Sequence, residues 1–173
     1  MRRCYHTAMM DFEKDQAEGS PHHFLKQLAG GWSGQTQTWI EPDGTPILSK
    51  TQGSIQILLD GRFAIYIYQS VMDGEPQHGM FIIGYNTNLD RYEASWIDSY
   101  HNNTAIMFCT GDPMEKGFWV RGSYPDPSGG PDWGWRTDVS LIDPAHLTIT
   151  AFNIFPEGQE VKAIETLLNR MTG

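Results

Sequence analysis

Apolar and polar residues alternate in short runs between Gly31 and Arg170. Clusters such as Asp60-Gly61 and Glu157-Gly158 separate these runs and are typical of tight hairpin turns. Connections this short leave no room for crossover helices, so neighbouring strands must pair antiparallel. The pattern predicts about ten strands, near residues 32–40, 51–59, 62–70, 79–86, 91–98, 104–110, 117–123, 133–142, 146–155 and 160–170. A meander of this length removes its exposed edges when it closes, so we expect an all-β, up-and-down antiparallel barrel.

A short helix is predicted before the first strand. Ser20 is a favourable N-cap, Pro21 suits the first helical turn, and Gly30 ends the helix. The apolar residues between them recur at helical spacing and form one stripe. Residues 1–20 are polar and irregular, and we expect them to form a flexible tail. Residues 21–173 are then long enough to form a single barrel domain.

Two of the predicted strands have faces of mixed character. Tyr66 and Tyr68 share one face of their strand, and Trp96 and Asp98 share one face of another. A solid sandwich would separate apolar from polar faces throughout. Aromatic residues mixed with single polar groups indicate a barrel with a ligand-sized cavity of a few hundred Å³.

Charge and cysteine content exclude several classes of partner. The formal charge of -9, with 12 basic residues dispersed along the chain, argues against nucleic acid and against acidic membranes. No run approaches the roughly 20 apolar residues that span a bilayer. The basic N-terminus is not followed by the apolar stretch of a signal peptide. A disulfide between Cys4 in the tail and Cys109 in a strand is hard to place, so we expect reduced thiols and a cytoplasmic protein.

A Gly-x-Trp pattern, Gly30-Gly31-Trp32, begins the first strand directly after the helix. This pattern is similar to that of lipocalins, in which the Trp closes the bottom of the barrel. Arg170, near the end of the last strand, is the expected partner of Trp32. A guanidinium packed over an indole ring is worth about 0.5–2 kcal/mol. The role of this pair is predicted to be structural.

The chain also resembles the bacterial family called domain of unknown function 1579, over residues 22 to 170. The resemblance rests on these segments: Leu28-Ala29-Gly30-Gly31-Trp32-Ser33-Gly34, Trp39, Glu41-Pro42, Leu59-Asp60-Gly61-Arg62-Phe63, Gly84-Tyr85-Asn86, Ser95-Trp96-Ile97-Asp98-Ser99, Gly122-Ser123-Tyr124-Pro125-Asp126-Pro127 and Arg136-Thr137. It implies a lipocalin-like, calycin-type barrel and no particular activity. The chain departs from the family pattern after Ser99, where Tyr100-His101-Asn102-Asn103 replaces a Gly-rich turn.

A polar cluster inside the barrel is the first candidate for a binding site. We expect Asp98 to pair with Arg136, Trp96 to form a wall, and Glu165 to contribute from another strand. A carboxylate and a guanidinium in an apolar lumen can hold a polar head group through charge-assisted bonds. Two further residues complete the set of pocket candidates, Tyr66 and Phe108. The structural alternative is that Asp98 ends its strand, caps a turn and pairs with Arg136 only to remain satisfied.

The chain has no nucleophile elbow, metalloprotease motif, phosphate loop or dinucleotide fingerprint. No cluster of cysteine and histidine has ligand spacing, so we predict no metal and no cofactor. The leading hypothesis is a non-catalytic carrier or sensor of a small, largely apolar molecule, which can form homo-oligomers through its outer face. One alternative is an enzyme that uses Asp98 or Glu165 as a general base. Another is a haem-binding barrel in which His101, overhanging the mouth, is the axial ligand.

Overall fold

The computed structural model describes residues 16–72, 74–102 and 104–172. Most of the predicted tail, with Cys4 and His6, lies outside the described residues. Helix α1 covers Pro21–Gln27, and the Ser20 side chain accepts a hydrogen bond of 3.1 Å from the backbone N–H of His23. Within the described ranges, no helix has the length and apolar character needed to cross a membrane.

Within the described residues, eleven strands follow the helix. Their bounds are β1 (Gly30–Thr38), β2 (Ile47–Leu58), β3 (Phe63–Met72), β4 (Glu75–Asn86), β5 (Arg91–Asp98), β6 (Met107–Gly111), β7 (Pro113–Met114), β8 (Gly117–Tyr124), β9 (Trp133–Asp143), β10 (His146–Ile154) and β11 (Glu160–Arg170). A single 3₁₀ turn, Leu59–Gly61, connects β2 to β3. The long break between β8 and β9 corresponds to the proline-rich loop, because proline has no N–H to donate to a strand pair.

All strand pairs are antiparallel and form one sheet in the order β6-β5-β4-β3-β2-β1-β11-β10-β9-β8-β7. A further pairing between β6 and β8, at Thr110 and Arg121, closes this sheet into a barrel. The two-residue β7 pairs only with β8, so ten strands make up the barrel wall. The predicted ten-stranded antiparallel barrel with a short helix near the N-terminus is therefore confirmed.

Helix α1 closes one end of the barrel. Leu25, Leu28 and Trp32 are fully buried there, and the Trp32 indole N–H donates to the carbonyl oxygen of Leu28 at 2.9 Å. The Arg170 guanidinium lies 4.2 Å from the centre of the Trp32 ring, and the two residues are direct partners in the pairing of β1 with β11. This is the contact that the Gly-x-Trp pattern predicts. Burial of these side chains makes the α1 end solid.

Candidate functional site

The half of the barrel away from α1 contains a cavity. Its volume is about 80 Å³, and the empty space rises to about 670 Å³ when the open mouth is included. That volume suits several water molecules or one small, narrow ligand. The volume of the cavity is smaller than the few hundred Å³ expected from the sequence, because six ring side chains occupy much of the lumen.

Hydroxyl groups line one side of the lumen. These residues are Thr36, Thr38, Thr51, Ser70, Thr137 and Thr166. Thr36 Oγ1 lies 2.6 Å from Thr51 Oγ1 and 2.9 Å from Thr166 Oγ1, and the Thr51 hydroxyl donates to Ser70 Oγ at 3.0 Å. Since each hydroxyl can donate or accept, this chain of bonds can reorient when a polar group enters.

Aromatic rings form much of the remaining lining. They belong to Tyr66, Tyr68, Phe81, Trp96, His101 and Trp135. The rings of Trp96 and Trp135 stack with centres 5.2 Å apart, and those of Tyr66 and Tyr68 stack at 5.1 Å. The Trp96 indole N–H donates to the Tyr68 hydroxyl oxygen at 3.0 Å, which joins the two stacked pairs. Stacked rings provide a rigid, flat and mostly apolar wall.

Two glycines allow the tyrosine rings to lie flat against the wall. A Cβ at Gly79 would lie 2.1 Å from Tyr68 Cζ, and a Cβ at Gly53 would lie 2.7 Å from Tyr66 Cε2. Both distances are far shorter than van der Waals contact. Any other residue at either position would push a tyrosine ring into the lumen.

The Tyr66 hydroxyl is buried and has no hydrogen-bond partner among the described residues. The side chain lines the cavity although the residue is only 4% exposed. Burial raises the pKa of this phenol far above its usual range, so the group stays protonated and can donate. A buried hydroxyl without a partner is costly, and an entering molecule or water can relieve that cost.

A carboxylate, an imidazole and an amide meet at the open end of the lumen. Asp98 Oδ2 lies 2.6 Å from His101 Nδ1 and accepts a hydrogen bond of 3.0 Å from Gln77 Nε2. Asp98 Oδ1 accepts from the backbone N–H groups of His101 at 2.7 Å and Asn102 at 2.8 Å. The Asp98 side chain is fully buried, whereas the imidazole of His101 forms part of the cavity wall.

The protonation states in this cluster follow from the hydrogen bonds. Burial raises the pKa of the Asp98 carboxyl, but the hydrogen bonds from His101, Asn102 and Gln77 and the charge of His101 outweigh burial and leave it below its usual value. Asp98 is therefore an ionised acceptor, and in the neutral form of the His101 imidazole the ring proton lies on Nδ1. Nε2 is then the acceptor nitrogen of His101, and the Gln77 amide donates to Asp98.

The site residues predicted from the sequence lie at three places: in or beside the lumen, at the closed end of the barrel, and on its outer face. Trp96 and Tyr66 line the lumen, and Asp98 lies directly behind the ring of His101. Trp32 and Arg170 lie at the closed end. The structural alternative for Asp98 describes part of its role, because it ends β5 and caps the following turn.

Three of the predicted pocket residues lie on the outer face of the barrel instead. Arg136 contacts Asp138, with Nε 3.1 Å from Oδ1, and pairs with Glu160 rather than with Asp98. The reason is the alternation of β9, in which the neighbouring residues Trp135 and Thr137 face the lumen. The expected pairing of Asp98 with Arg136 is wrong.

The prediction that Glu165 and Phe108 face the lumen is wrong for the same reason. Glu165 lies between the lumen residues Ile164 and Thr166 and forms an ion pair with Lys162 at 2.7 Å. Phe108 is 72% exposed, because its neighbour Met107 pairs with Trp96 and takes the inward position. One residue of register separates each side chain from the face that the sequence analysis predicted.

Several lumen residues were not predicted from the sequence. Gln77 lies two residues before Gly79 in β4, and Trp135 lies two residues before Thr137 in β9. The signal for the threonines was available, because Thr36 and Thr38 share the parity of Trp32, which the Gly-x-Trp pattern turns inward. The position of Gln77 beside Asp98 had no local signal, since it depends on the pairing of β4 with β5.

Within the part of the chain that the structure describes, no three histidine, cysteine or carboxylate side chains come together as metal ligands. Cys109 is a buried free thiol whose pKa burial raises to about 11. The lumen itself therefore presents hydroxyls, rings and one imidazole.

Comparison with known proteins assigns the chain to a fold and a family model. The model described as "Protein of unknown function (DUF1579)" matches residues 17–170. The crystal structure of Rv2717c from M. tuberculosis has a TM-score of 0.61 and 15% identity, covering 88% of this chain and 99% of that one. The S-type phycobiliprotein lyase CPES from Guillardia theta has a TM-score of 0.60 and 12% identity, covering 94% and 98%. At these identities the likeness shows a shared fold. Among curated proteins, none matches this chain.

Proposed function

Since this chain belongs to the DUF1579 family, whose description names no activity, we propose a function from the lumen itself: the barrel binds one small, largely apolar molecule. The molecule lies against the stacked rings of Trp96 and Trp135 and places a polar acceptor atom near the Tyr66 hydroxyl. A mostly apolar pocket with a few placed polar groups is the usual form of a small-molecule site.

The observation that carries this proposal is the unpartnered hydroxyl of Tyr66. Buried polar groups in proteins are nearly always hydrogen-bonded, and this one belongs to a side chain that lines the cavity. The hydroxyl wall around Thr36 differs, because its members already bond to one another. Tyr66 is therefore the group for which a ligand adds most.

The alternatives from the sequence are less well supported by this geometry. Glu165 lies on the outer face, and both carboxylate oxygens of Asp98 already accept hydrogen bonds. A haem macrocycle needs far more room than the narrow lumen offers, although His101 has a free ring nitrogen of the kind that binds iron. Addition of haem to the protein, with His101→Ala as the control, tests this alternative by the presence of a Soret band.

The binding proposal is tested by native mass spectrometry of the protein purified from its own cells, followed by denaturing extraction of any bound molecule. Ala151 lines the lumen with a small side chain, so Ala151→Phe is expected to fill the space. The matched control is Thr150→Phe, because the adjacent residue of β10 points to the outer face.

We expect a bound molecule in near-stoichiometric amount on the wild type and on Thr150→Phe, and none on Ala151→Phe. Protein that is purified empty is titrated with nitrobenzene, which quenches the tryptophans of the lumen when it binds. Equal occupancy or equal quenching in Ala151→Phe would place binding outside the lumen. Absence of any bound molecule together with absence of saturable quenching would overturn the proposal.

A further inference from the structure

We propose that the lumen catalyses proton transfer on its ligand, with His101 as the general base and the hydroxyls of Tyr66 and Tyr68 as donors to the oxygen that becomes negative. The substrate class is a small carbon acid, such as a ketone with a proton on the carbon next to the carbonyl group. This inference rests on the proposed function, because the substrate must enter the same cavity.

The Asp98–His101 pair has the arrangement of a base and its orienting carboxylate. In the 2.6 Å contact the Nδ1–H group of the imidazole donates to Asp98 Oδ2. Nε2 therefore carries the lone pair. No described residue bonds to Nε2, and the ring lines the cavity. A turn cap alone needs only the backbone bonds from His101 and Asn102 to Asp98, so the additional bond to the ring has a separate consequence. That consequence is a fixed tautomer with its acceptor nitrogen available.

The tyrosines supply the opposite half of the reaction. The Tyr66 hydroxyl has no partner in the described structure, and Tyr68 accepts from the Trp96 indole, which leaves its own proton free to donate. Donation from the indole also polarises the Tyr68 hydroxyl and strengthens it as a donor. Two preorganised donors in a water-poor site stabilise an oxyanion far more than water does.

The chemical step balances without a cofactor. His101 Nε2 takes the proton from the carbon, the C–H electron pair forms a carbon–carbon double bond, and the carbonyl π pair moves onto oxygen. The resulting enolate oxygen accepts hydrogen bonds from the two tyrosines. The imidazolium then returns its proton to the same carbon or to another carbon, which gives exchange or isomerisation. Asp98 touches no reacting atom and is a positioning residue.

The test uses 5-nitrobenzisoxazole, a small planar carbon acid. A base removes its ring C–H proton, the N–O bond breaks, a nitrile forms, and a coloured nitrophenolate is released. The variants are His101→Gln, Tyr66→Phe and Asp98→Asn, and the matched control is His78→Gln, because His78 is exposed on the outer face of β4. Quenching of tryptophan fluorescence measures binding of the same probe independently of turnover.

We expect saturable elimination by the wild type and by His78→Gln, with kcat lower by about 100-fold in His101→Gln and about tenfold in Tyr66→Phe. Burial keeps the pKa values of Tyr66 and Tyr68 far above neutral, so both hydroxyls stay protonated and able to donate. Asp98→Asn should lower kcat, and ¹⁵N NMR should show that the Nδ1–H tautomer of His101 is lost.

The outcomes separate the two proposals. If the probe binds equally to the wild type and His101→Gln and both eliminate it at the same rate, His101 is not a base and the further inference is overturned while binding stands. If neither the wild type nor His101→Gln shows saturation in rate or in fluorescence, the lumen does not admit small apolar molecules and both proposals fail. Retention of the Nδ1–H tautomer in Asp98→Asn would remove the positioning role from Asp98.

Discussion

Asp98 has two roles that depend on different oxygen atoms. Oδ1 accepts from two backbone N–H groups and holds the turn after β5, while Oδ2 holds the imidazole of His101 and the amide of Gln77. The donors compensate for the loss of solvation on burial, which explains why the carboxyl is ionised although its side chain is buried. The ionised form of Asp98 therefore stabilises both the turn and the site.

The lowered pKa of Asp98 predicts a specific loss of stability in acid. Because the folded pKa lies below the usual value of 3.8, the contribution of Asp98 is fully present above about pH 5 and is lost as the pH falls through the folded pKa. We expect Asp98→Asn to lower the free energy of unfolding by about 2 kcal/mol at neutral pH. Below about pH 5 the wild type should then lose stability more steeply than the variant.

Urea unfolding at a series of pH values measures both effects. The exposed Asp43→Asn serves as the control and should follow the wild type within about 0.5 kcal/mol. Parallel pH dependence of the wild type and Asp98→Asn would contradict the assignment of Asp98 as an ionised acceptor.

At the scale of elements, Arg170 at the end of β11 connects helix α1 with the turn between β9 and β10. Its guanidinium donates to the carbonyl oxygens of Gln27 at 2.8 Å, Pro144 at 2.6 Å and Ala29. It also covers the Trp32 ring. These carbonyls lie in the connection from α1 to β1 and in the turn between β9 and β10, so one planar group fixes two connections. The closed end of the barrel is rigid for this reason.

Replacement of this residue by lysine is expected to destabilise the protein although the charge is kept. A single ammonium group cannot reach three carbonyls in different directions, so Arg170→Lys should lower the free energy of unfolding by about 1–3 kcal/mol. Arg121→Lys, at an exposed position of β8, should change it by less than about 0.5 kcal/mol. Denaturant unfolding compares the two variants, and equal effects would show that Arg170 acts only through its charge.

At the scale of the whole molecule, the two seams of the barrel differ in strength. The pairing of β1 with β11 extends over seven residue pairs, from Trp32–Arg170 to Thr38–Ile164. The pairing of β6 with β8 has a single registered pair, Thr110–Arg121. The outer surface near this weaker seam exposes Phe108 and Ile106. Homo-oligomerisation through the outer face stays a prediction.

The weaker seam should open first in native-state fluctuations. We expect the backbone amides of β6 to exchange with solvent hydrogen at a lower free energy of opening than those of β1 and β11. Hydrogen exchange followed by NMR or mass spectrometry measures this difference directly, with the β1–β11 seam as the internal control. Equal protection at the two seams would mean that the barrel opens only by global unfolding.

Much of this architecture was readable from local patterns. Ser20 and Pro21 begin the helix as expected, and the Gly-containing turns separate strands that match the predicted segments closely. Caps, turns and strands depend on interactions within a few residues, so a single sequence contains the information for them. The contact of Trp32 with Arg170 was also predictable, because a known pattern relates the two ends of the chain.

The sequence by itself determined the ten strands, the helix and the antiparallel order, since short connections permit no other pairing. Only the tertiary structure decided which faces look inward. It turned Arg136, Glu165 and Phe108 outward and brought Gln77, Asp98 and His101 into one cluster. The physical reason is that strand side chains alternate with a period of two, so a shift of one residue in register exchanges the faces completely. Where both faces carry apolar and polar residues, only the packing of the closed barrel selects between the two registers.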